Sequence, residues 1–420
     1  MRGISVSIDD VISLSDVMRI LLADRFPEAQ LEKLARRGHD VRYQPDLEAD
    51  EIPDVIADVD VLVVRSTAVT RESIGASQQL GLIVRAGAGT NTIDTDVASE
   101  RAIYVSNVPG KNSVAVAELT MGLILALDRR IPDNVAELRN DHWRKGRFSS
   151  ARGLKGRRIG IIGMGAVGIE VAIRARSFGM KILTLEKPDR EEDVSELLVD
   201  LGAKIYAQLP DMLADSDIVS IHVPVDPETA GMVDQDFISH LRDGAFLINT
   251  ARAEVIVERD LLAALEEKDL WVGTDVYPDE PDTGDGEFTS NLAKHPRVYG
   301  THHIGASTEQ AQEAIAKQVL KIIDEYEEGG VRNVINLSEP MDTTTVIGIR
   351  HVDKVGVLSR VFAVLRTADI NVEHMENHVF EGARAAKAVI NLHGHFDANV
   401  HEELEKLEGV FHVGVLRSGR

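Results

Sequence analysis

The sequence predicts an α/β protein with two doubly wound parallel sheets, followed by a smaller β-α-β-β-α-β domain. Three observations favour this fold. Short apolar runs alternate with segments of helical spacing from residue 17 to about residue 336, as in parallel sheets covered by helices. A glycine-rich turn, GMGAVG, lies inside a second strand–helix–strand unit. After residue 343 the elements become shorter and follow the order strand, helix, strand, strand, helix, strand.

The first sheet is predicted from segments near the start of the chain. VMRILLA and VDVLVVRS are candidates for buried strands, and PEAQLEKLARRG between them has helical spacing and ends in a glycine. LIVRAGAGTNTID and AIYVSNVPG continue the pattern. NSVAVAELTMGLILALDRR then indicates one long buried helix, with Asn112 or Ser113 as its N-cap.

The second sheet begins at RRIGIIGMGAVGIEVAIRARSFGMKILTLE, which indicates a strand, a tight turn, a helix and another strand. DIVSIHVP, GAFLINTAR and WVGTDVY are further strands, and STEQAQEAIAKQVLKIIDEYEEGG is a long helix that ends in two glycines. In the C-terminal part, TVIGIR, NVEHMENHV, ARAAKAVINL and VFHVGVL are the strands. Helices begin near Val357 and within NVHEELEKLEG.

Composition narrows the classes of function. At roughly 150 residues per domain, 420 residues predict two or three domains. The net charge of −23 argues against a broad surface for nucleic acid or an acidic membrane. Without cysteine the chain has no disulfides, thiolate metal ligands or cysteine nucleophiles, and we expect no metal site. An anionic ligand therefore needs a local cluster of positive charge.

Two observations argue against a secretory signal and against a membrane-spanning segment. Asp9, Asp10 and Asp16 interrupt the N-terminal segment, which is unlike a secretory signal. The longest apolar stretch in the first half is Leu119–Leu127, whereas a bilayer needs about 20 residues. We expect a cytoplasmic protein that does not span a membrane.

The glycine turn predicts a dinucleotide site. Gly163, Gly165 and Gly168 have the GxGxxG spacing, after a strand and at the start of a helix whose free N–H groups suit a pyrophosphate. Glu186 ends the next strand about 20 residues on, where a carboxylate binds ribose hydroxyls and repels a 2′-phosphate. NAD is therefore favoured over NADP, although Lys187 weakens the preference. The alternative is a turn needed only for packing.

Three side chains have the chemistry for oxidising a 2-hydroxy acid. Histidine at position 303 suits proton transfer, because the ordinary pKa of histidine lies near neutral pH. Glu280 would orient that imidazole, and the fork of Arg252 would hold a carboxylate. Each has an alternative: a surface arginine, a solvated glutamate, and an ambiguous choice between His303 and its neighbour His302.

Four motifs carry a family resemblance. LKGRRIGIIGMGAVG, NTARAEVIVERDLLAALEE, GTDVYPDEP and HHIGAST together resemble the D-isomer-specific 2-hydroxyacid dehydrogenases, and the match extends from about Val17 to Asn336. The resemblance implies Arg252 on the substrate carboxylate, Glu280 on the histidine, and acid–base work for His303. It favours His303 because the family histidine directly precedes an apolar residue and a glycine.

The resemblance also implies the domain organisation and the cofactor contacts. A Rossmann-like NAD-binding domain, residues 113–300, is inserted into a substrate-binding domain of residues 17–112 and 301–336. The implied NAD contacts are Gly163, Gly165, Ala166, Val167, Gly168, Glu186, His222, Pro224, Thr250, Ala251, Asp275 and Gly305. Three positions depart from the family pattern: Ala166 replaces a frequent arginine, and Ala253 and Glu254 replace two small glycines.

The substrate segments VRSTAVT, RAGAGTNTID and NVPGKNSVAVAELT are similar to those of family members that act on 3-phospho-D-glycerate. The implied contacts are Arg65, Ser66, Arg85, Asn112 and, from a neighbouring subunit of a homodimer or homotetramer, Lys145. We therefore expect the NAD-dependent oxidation of 3-phospho-D-glycerate to 3-phosphooxypyruvate, which is the first step of L-serine biosynthesis. The alternatives are another 2-hydroxy acid (glycerate/hydroxypyruvate or 2-hydroxyglutarate), a non-catalytic NAD(H)-sensing protein and, for Lys145, a solvated basic patch.

Residues 343–420 resemble an ACT domain, an amino-acid-sensing module, through HVDKVGVLSR and ADINVEHM. The resemblance implies an effector site of His351, Asp353 and Asn371, with L-serine as the expected effector. Asp353 replaces a neutral asparagine and Val355 a proline. The alternative is a dimerisation module without a ligand.

Overall fold

A computed structural model describes residues 17–188, 190–281, 286–338 and 345–417. The chain divides into two compact units after Asn336. The first unit contains two parallel sheets and the second contains one antiparallel sheet, which confirms the predicted fold class. The predicted start of the C-terminal domain at residue 343 lies outside the described residues.

The first sheet has five parallel strands in the order β2-β1-β3-β4-β5. The strands are β1 Arg19–Leu22, β2 Asp40–Tyr43, β3 Val61–Val64, β4 Leu82–Arg85 and β5 Tyr104–Ser106. The inner strands β1, β3 and β4 are largely apolar because helices cover both faces, whereas the edge strand β2 is polar and not buried. The helices between them are α1 Glu28–Arg36, α2 Ile52–Val55, α3 Arg71–Ala76 and α4 Thr95–Glu100.

The second sheet has seven parallel strands in the order β12-β11-β10-β9-β6-β7-β8. Its strands are β6 Arg158–Ile162, β7 Lys181–Leu185, β8 Lys204–Tyr206, β9 Ile218–Ile221, β10 Ala245–Asn249, β11 Leu270–Thr274 and β12 Val298–Gly300. The helices of this region are α5 Ser113–Arg129, α6 Ile131–Arg139, α7 Ala166–Ser177, α8 Glu192–Asp200, α9 Leu209–Asp215, α10 Gln235–Ser239, α11 Glu258–Glu267, α12 Asn291–Lys294 and α13 Glu309–Glu327.

Two long helices carry the chain between the sheets. Helix α5 follows β5 of the first sheet, but its buried face packs in the core of the second sheet, where Ile124 joins Ile159 and Ile248. Helix α13 follows β12 of the second sheet, and its Val319 packs in the core of the first sheet with Val63. The chain therefore leaves the first sheet after β5 and returns to it after β12. Asn112 is the N-cap residue of α5 but makes no capping bond with its side chain.

The C-terminal unit has four antiparallel strands in the order β14-β15-β13-β16. Its elements follow the predicted β-α-β-β-α-β order: β13 Thr345–Val352, α14 Val357–Thr367, β14 Asn371–Val379, β15 Ala385–His393, α15 Ala398–Glu405 and β16 Val410–Arg417. The core lies between the sheet and its two helices and includes Ile349, Val361 and Leu404. Across all the described ranges, no helix is long and apolar enough to cross a membrane.

A buried ion pair ties the end of α5 to the strand that begins the second sheet. Arg157 Nη1 lies 3.2 Å from Asp128 Oδ1, and both side chains are less than 5% exposed. The Asp128 carboxylate also accepts a bond from the N–H of Gly153, and the Arg157 guanidinium stacks over the ring of Phe246. Neither charge has access to water as an alternative partner, so each depends on the other.

Replacing Asp128 with alanine is therefore expected to lower the apparent free energy of unfolding by about 3–5 kcal/mol, because Arg157 stays buried without its counter-charge. Urea unfolding followed by the fluorescence of Trp271 measures this loss. Glu32→Ala is the control, since it removes an exposed pair with Arg36 and should cost at most about 1 kcal/mol. An equal loss in both variants would contradict the interpretation.

Candidate active site

Arg252, Glu280 and His303 follow the carboxyl ends of three adjacent strands. Arg252 comes after β10, Glu280 after β11 and His303 after β12, and these strands are neighbours in one parallel sheet. The carboxyl ends of parallel strands share one edge, where α/β proteins bind ligands. The fold thus brings the three side chains to the same side of the second sheet.

His303 and Glu280 form a short hydrogen bond. His303 Nδ1 donates to Glu280 Oε2 at 2.6 Å, and Glu280 Oε1 accepts the N–H of Tyr277 at 2.8 Å. Burial acts to raise the pKa of Glu280, but these two bonds and the charges of His303 and Arg252 outweigh it, so the pKa is lowered. The carboxylate is therefore charged. It fixes the imidazole through Nδ1, and Nε2 has no partner among the described residues.

Asp275 holds the loop that carries this histidine. Its Oδ1 accepts bonds from the Thr301 hydroxyl (2.6 Å) and the Ile304 N–H (2.9 Å), and its Oδ2 accepts the Gly305 N–H (2.8 Å). The N–H of His303 donates to the Asp275 carbonyl, and His303 has a left-handed backbone with φ 49°. The observed bonds of Asp275 thus serve the loop, and the NAD contacts of Asp275 and Gly305 stay predictions.

Arg252 reaches from the second sheet to a loop of the first sheet. Its Nη1 donates to the Ala251 carbonyl at 2.7 Å, and its own carbonyl accepts from Asn249 Nδ2 at 2.8 Å. A Cβ atom on Gly89 would lie only 2.5 Å from Nη2 of Arg252. The glycine thus provides the space that lets the guanidinium lie against residues 86–90, which we call the anion loop.

Arg85 lies beside the same anion loop. A Cβ atom on Gly87 would collide with Arg85 Nη1, so a second glycine makes room for a second guanidinium. Burial lowers the pKa of Arg85 to about 10, and repulsion from Arg252 and Arg65 adds to the effect. Arg85 Nε is buried without a hydrogen-bond partner. Arg65 Nη2 donates to Ser307 Oγ at 3.4 Å.

The three arginines form a cationic cluster that has no ion pair among the described residues. Asp24 and Glu280 act on Arg85 and Arg252 from beyond ion-pair distance, whereas Arg157 and Arg158 are paired directly. Like charges that act on one another repel, and the repulsion is relieved when an anion binds between them. The cluster therefore suits an anionic ligand, and its use as a substrate site stays a prediction.

Asp24, which the sequence did not single out, sets the position of Arg65. Its Oδ2 accepts the backbone N–H groups of Arg65 (2.6 Å), Ser66 (3.1 Å) and Thr67 (3.1 Å). The turn after β3 is thus folded around one carboxylate oxygen, and Ser66 is exposed. The sequence signal was an acid directly after a buried strand, in LLAD, on the same sheet edge as Arg65.

The glycine turn after β6 fits a dinucleotide. Gly163 has φ 93°, and a Cβ there would collide with the carbonyl of His222, while a Cβ on Gly168 would collide with the Gly163 carbonyl. Gly165 is the N-cap of α7 and has no side chain to occupy the free N–H groups of the first turn, which begins at Ala166. The backbone can therefore approach a pyrophosphate closely.

Other predicted cofactor residues lie along the same edge of the sheet. Glu186 follows β7 and is exposed, and Pro224 is exposed after β9. His222 Nε2 is bonded to the Ser220 hydroxyl, but Nδ1 is buried without a partner. Burial lowers the pKa of His222 to about 3, so the ring is neutral. An unpaired polar atom beside the glycine turn fits a bound NAD. The hydroxyl of Thr250, in contrast, is bonded within the protein to Thr120.

Lys145 lies apart from the arginine cluster within one chain. It belongs to a short exposed 3₁₀ turn, Lys145–Phe148, and lines a surface cavity of about 680 Å³ with Trp143 and Arg144. None of the three clustered arginines lines that cavity. The contact of Lys145 with the site of a neighbouring subunit stays a prediction.

The effector residues of the C-terminal unit are not brought together in one chain. His351 is 2% exposed, its Nδ1 donates to the Val352 carbonyl, and its Nε2 lies 3.1 Å from Asn377 Oδ1. On β15, His351 pairs with Ala386 and Asn371 with His393, which places them roughly 20 Å apart. The effector role of His351, Asp353 and Asn371 stays a prediction.

Comparison with known proteins agrees with this geometry. Residues 121–305 match the family model described as D-isomer specific 2-hydroxyacid dehydrogenase, NAD binding domain. D-3-phosphoglycerate dehydrogenase of Methanocaldococcus jannaschii is 36% identical over 313 residues, covering 73% of this chain and 58% of that protein. Hydroxypyruvate reductase of Thermotoga maritima is 38% identical over 279 residues, covering 66% of this chain and 88% of that protein.

The match thus spans less than two thirds of the Methanocaldococcus protein. A solved structure of D-lactate dehydrogenase from Aquifex aeolicus, complexed with NAD and lactic acid, superposes with a TM-score of 0.62 at 26% identity and covers 74% of this chain and 95% of that one. The chain belongs to the D-isomer-specific 2-hydroxyacid dehydrogenases, and residues 121–305 are its NAD-binding domain.

Proposed function

We propose that the protein oxidises 3-phospho-D-glycerate to 3-phosphooxypyruvate, the first step of L-serine biosynthesis. The observation that carries this proposal is the unneutralised cluster of Arg65, Arg85 and Arg252 beside the His303–Glu280 pair. A 2-hydroxy acid needs one cation for its carboxylate. A phosphorylated one brings a second anionic group, and this site offers further cations for it.

The residues divide the work as follows. His303 Nε2 takes the proton of the C2 hydroxyl as the C2–O bond becomes a carbonyl, and Glu280 stabilises the imidazolium that forms. Arg252 holds the substrate carboxylate and polarises the reacting oxygen. NAD, when bound, accepts the hydride from C2. The ring nitrogen that bonds Glu280 cannot act on the substrate, so the free nitrogen of His303 must face it.

Charge explains why the site needs its own cations. The whole chain has a net charge of −23, which repels a phosphorylated acid at long range. Arg65 and Arg85 supply local positive charge for the phosphate, and Ser66 and Asn112 add polar groups nearby. Lys145 of a neighbouring subunit in a homodimer or homotetramer would add a further cation.

A second candidate substrate is an unphosphorylated 2-hydroxy acid, such as glycerate with hydroxypyruvate as its product. Two observations favour it. Glu254, exposed two residues after Arg252, adds negative charge near the carboxylate clamp. The Thermotoga relative is a hydroxypyruvate reductase. 2-Hydroxyglutarate oxidation and non-catalytic NAD(H) sensing are the remaining alternatives.

We further propose that the C-terminal unit is an ACT-like domain that regulates the enzyme by binding an amino acid. Its β-α-β-β-α-β element order supports this proposal, and L-serine, the end product of the proposed pathway, is the effector to test. A ring nitrogen of His351 becomes available to an effector only if its bond to Asn377 opens. Loss of activity on adding L-serine at millimolar concentration would support this regulation, and unchanged activity would favour a module without a ligand.

The arginine cluster predicts the substrate. Arg85→Gln and Arg65→Gln are each expected to raise KM for 3-phospho-D-glycerate about 10- to 100-fold, since each removes a hydrogen bond to a charged group. The effect on D-glycerate should be much smaller. Initial rates of NADH formation with a product trap measure both, and Arg36→Gln, on the surface, is the control. Turnover of D-glycerate without turnover of the phosphorylated acid favours the second candidate, and no turnover of any 2-hydroxy acid favours NAD(H) sensing.

His303 is expected to carry the proton transfer. His303→Gln should lower kcat about 10²- to 10⁴-fold and leave the Kd for NAD nearly unchanged, because the ring acts on the substrate. His302→Gln is a matched control, since His302 is an exposed neighbour. Rapid kinetics and NADH fluorescence titration give the two constants. Wild-type kcat in the His303 variant, or a larger loss in the His302 variant, would show that the wrong histidine was chosen.

Glu280 is expected to orient the imidazole and to stabilise the imidazolium that forms during turnover. The pKa of Glu280 is lowered, so the carboxylate is charged across the neutral range. Glu280→Gln keeps the shape of the side chain but removes this charge, and it is expected to lower kcat about 10²-fold while the Kd for NAD stays nearly unchanged. Glu254→Gln is the control for the loss of a nearby acid, and a wild-type kcat in the Glu280 variant contradicts the role.

A further inference from the structure

The anion loop is held from behind by two consecutive residues that no part of the proposed chemistry uses. The N–H of Val108 donates to the Gly87 carbonyl at 2.8 Å, and the side-chain amide of Asn107 donates to the Ala88 carbonyl at 2.7 Å. These carbonyls belong to the stretch whose glycines leave room for Arg85 and Arg252. Since the loop lies close against both guanidinium groups, a small shift of these carbonyls changes where an anion can sit.

The backbone of Asn107 is bonded to Asn333, in a different part of the chain. Its N–H donates to the Asn333 carbonyl at 3.1 Å, and its carbonyl accepts from Asn333 Nδ2 at 3.3 Å. Asn333 has a left-handed backbone with φ 52°, a conformation that asparagine adopts more readily than most residues. Asn107 is therefore bonded to the anion loop through its side chain and to a distant part of the chain through its main chain.

That distant part is the segment 333–336, which we call the exit segment because the C-terminal unit begins at Leu337. It lies antiparallel along the edge of β5, with a bridge between Val334 and Ser106 and a bond from the Ile335 N–H to the Val105 carbonyl. The exit segment is thus attached to the edge of the first sheet by an isolated antiparallel bridge.

Asn336 secures the end of the exit segment. Its Oδ1 accepts the N–H of Val105 at 2.8 Å, and its Nδ2 donates to the Ile103 carbonyl at 2.8 Å and to Ser99 Oγ at 3.1 Å. One side chain thus supplies three of the bonds that attach the exit segment to the sheet edge. Attachments of this kind, made at an edge by a few hydrogen bonds, open at a lower free-energy cost than the core of a sheet.

We propose that Asn107 is a positioning residue that couples the exit segment to the anion loop, so that the attachment of segment 333–336 sets the affinity for the substrate. Detaching this segment removes the two main-chain bonds of Asn107 and frees Asn107 to release the Ala88 carbonyl. The expected effect is on binding of the anion, and the His303–Glu280 pair is not displaced. The proposal rests on the proposed function only in taking the arginine cluster as the site of the substrate anion.

The test compares two full-length variants with the wild-type protein. Asn107→Ala removes the side-chain N–H that donates to Ala88 without adding a charge, and Asn336→Ala releases the end of the exit segment. Each is expected to raise KM by about 3- to 10-fold, the range for one neutral hydrogen bond, with kcat changed less than 2-fold. In the double variant the two effects should combine to less than their product, because both act through one connection.

Asn140→Ala is the matched control, since it removes an asparagine amide that donates to a backbone carbonyl on the surface of α6. The assay uses whichever 2-hydroxy acid the wild-type protein oxidises best, so a failure of the phosphorylated-substrate proposal leaves the test valid. A wild-type KM in either variant, an equal fall in kcat, or fully multiplicative effects would overturn the coupling.

Amide hydrogen exchange supplies a readout that needs no substrate. Asn336→Ala is expected to speed exchange of the amides in residues 86–90 as well as those in the exit segment, while exchange in β9 and β10 of the second sheet stays at the wild-type rate. Faster exchange in the exit segment alone would show that the anion loop is independent of it and would overturn the proposal.

Discussion

The buried carboxylate of Asp275 is the constraint on which the site depends. It receives bonds from Thr301, Ile304 and Gly305, and its carbonyl receives the N–H of His303. A buried charged acceptor without partners is costly, so the acid and the loop stabilise each other. These bonds hold His303 in a left-handed turn that directs Nδ1 to Glu280. The position of His303, and with it the proposed proton transfer, therefore depends on the contacts that Asp275 makes with the loop behind the imidazole.

The opposite end of the site depends on a group of positive charges in a chain that is acidic as a whole. Acids outnumber Lys and Arg by 69 to 46 over the whole sequence, yet Arg65, Arg85 and Arg252 meet without a counter-ion among the described residues. Asp24 follows a strand on the same sheet edge, and one of its carboxylate oxygens accepts the backbone N–H groups of Arg65 and Ser66. It positions Arg65 without forming an ion pair with it, so the cation stays available to a ligand.

The sequence predicted those features that local patterns determine. The alternating apolar runs, the GxGxxG turn and the residues after β10, β11 and β12 all have short-range signals, and the described structure contains them. Contacts between residues far apart in the chain were not predictable in this way. Asp24 lies 41 residues from the N–H of Arg65, and Asn333 lies 226 residues from Asn107. The local sequence marks Asp24 as an acid after a strand, but it does not indicate which distant N–H groups the carboxylate bonds, and it gives no signal for the pairing of Asn107 with Asn333.

The position of His351 shows how an uncertain strand end limits prediction. The predicted strand TVIGIR ended at Arg350, which placed His351 in a loop, whereas strand β13 continues to Val352. Side chains alternate along a strand, so His351 shares the inner face with Ile347 and Ile349 and is buried. A two-residue difference in a strand end thus decides whether a side chain faces solvent or the core, and the effector role of His351 stays a prediction.

The cationic cluster also links the two sheets of the first unit. Arg85 belongs to the end of β4 in the first sheet, and Arg252 follows β10 in the second. Their mutual repulsion, which contributes to the lowered pKa of Arg85, opposes their approach. An anion between them reverses the sign of that interaction, because each guanidinium is then attracted to the same ligand. Binding of an anion at this position and close approach of the two sheets at Gly87 and Gly89 therefore favour each other. Under the proposed function that anion is the substrate, so its binding would also bring C2 toward His303, which follows a strand of the second sheet.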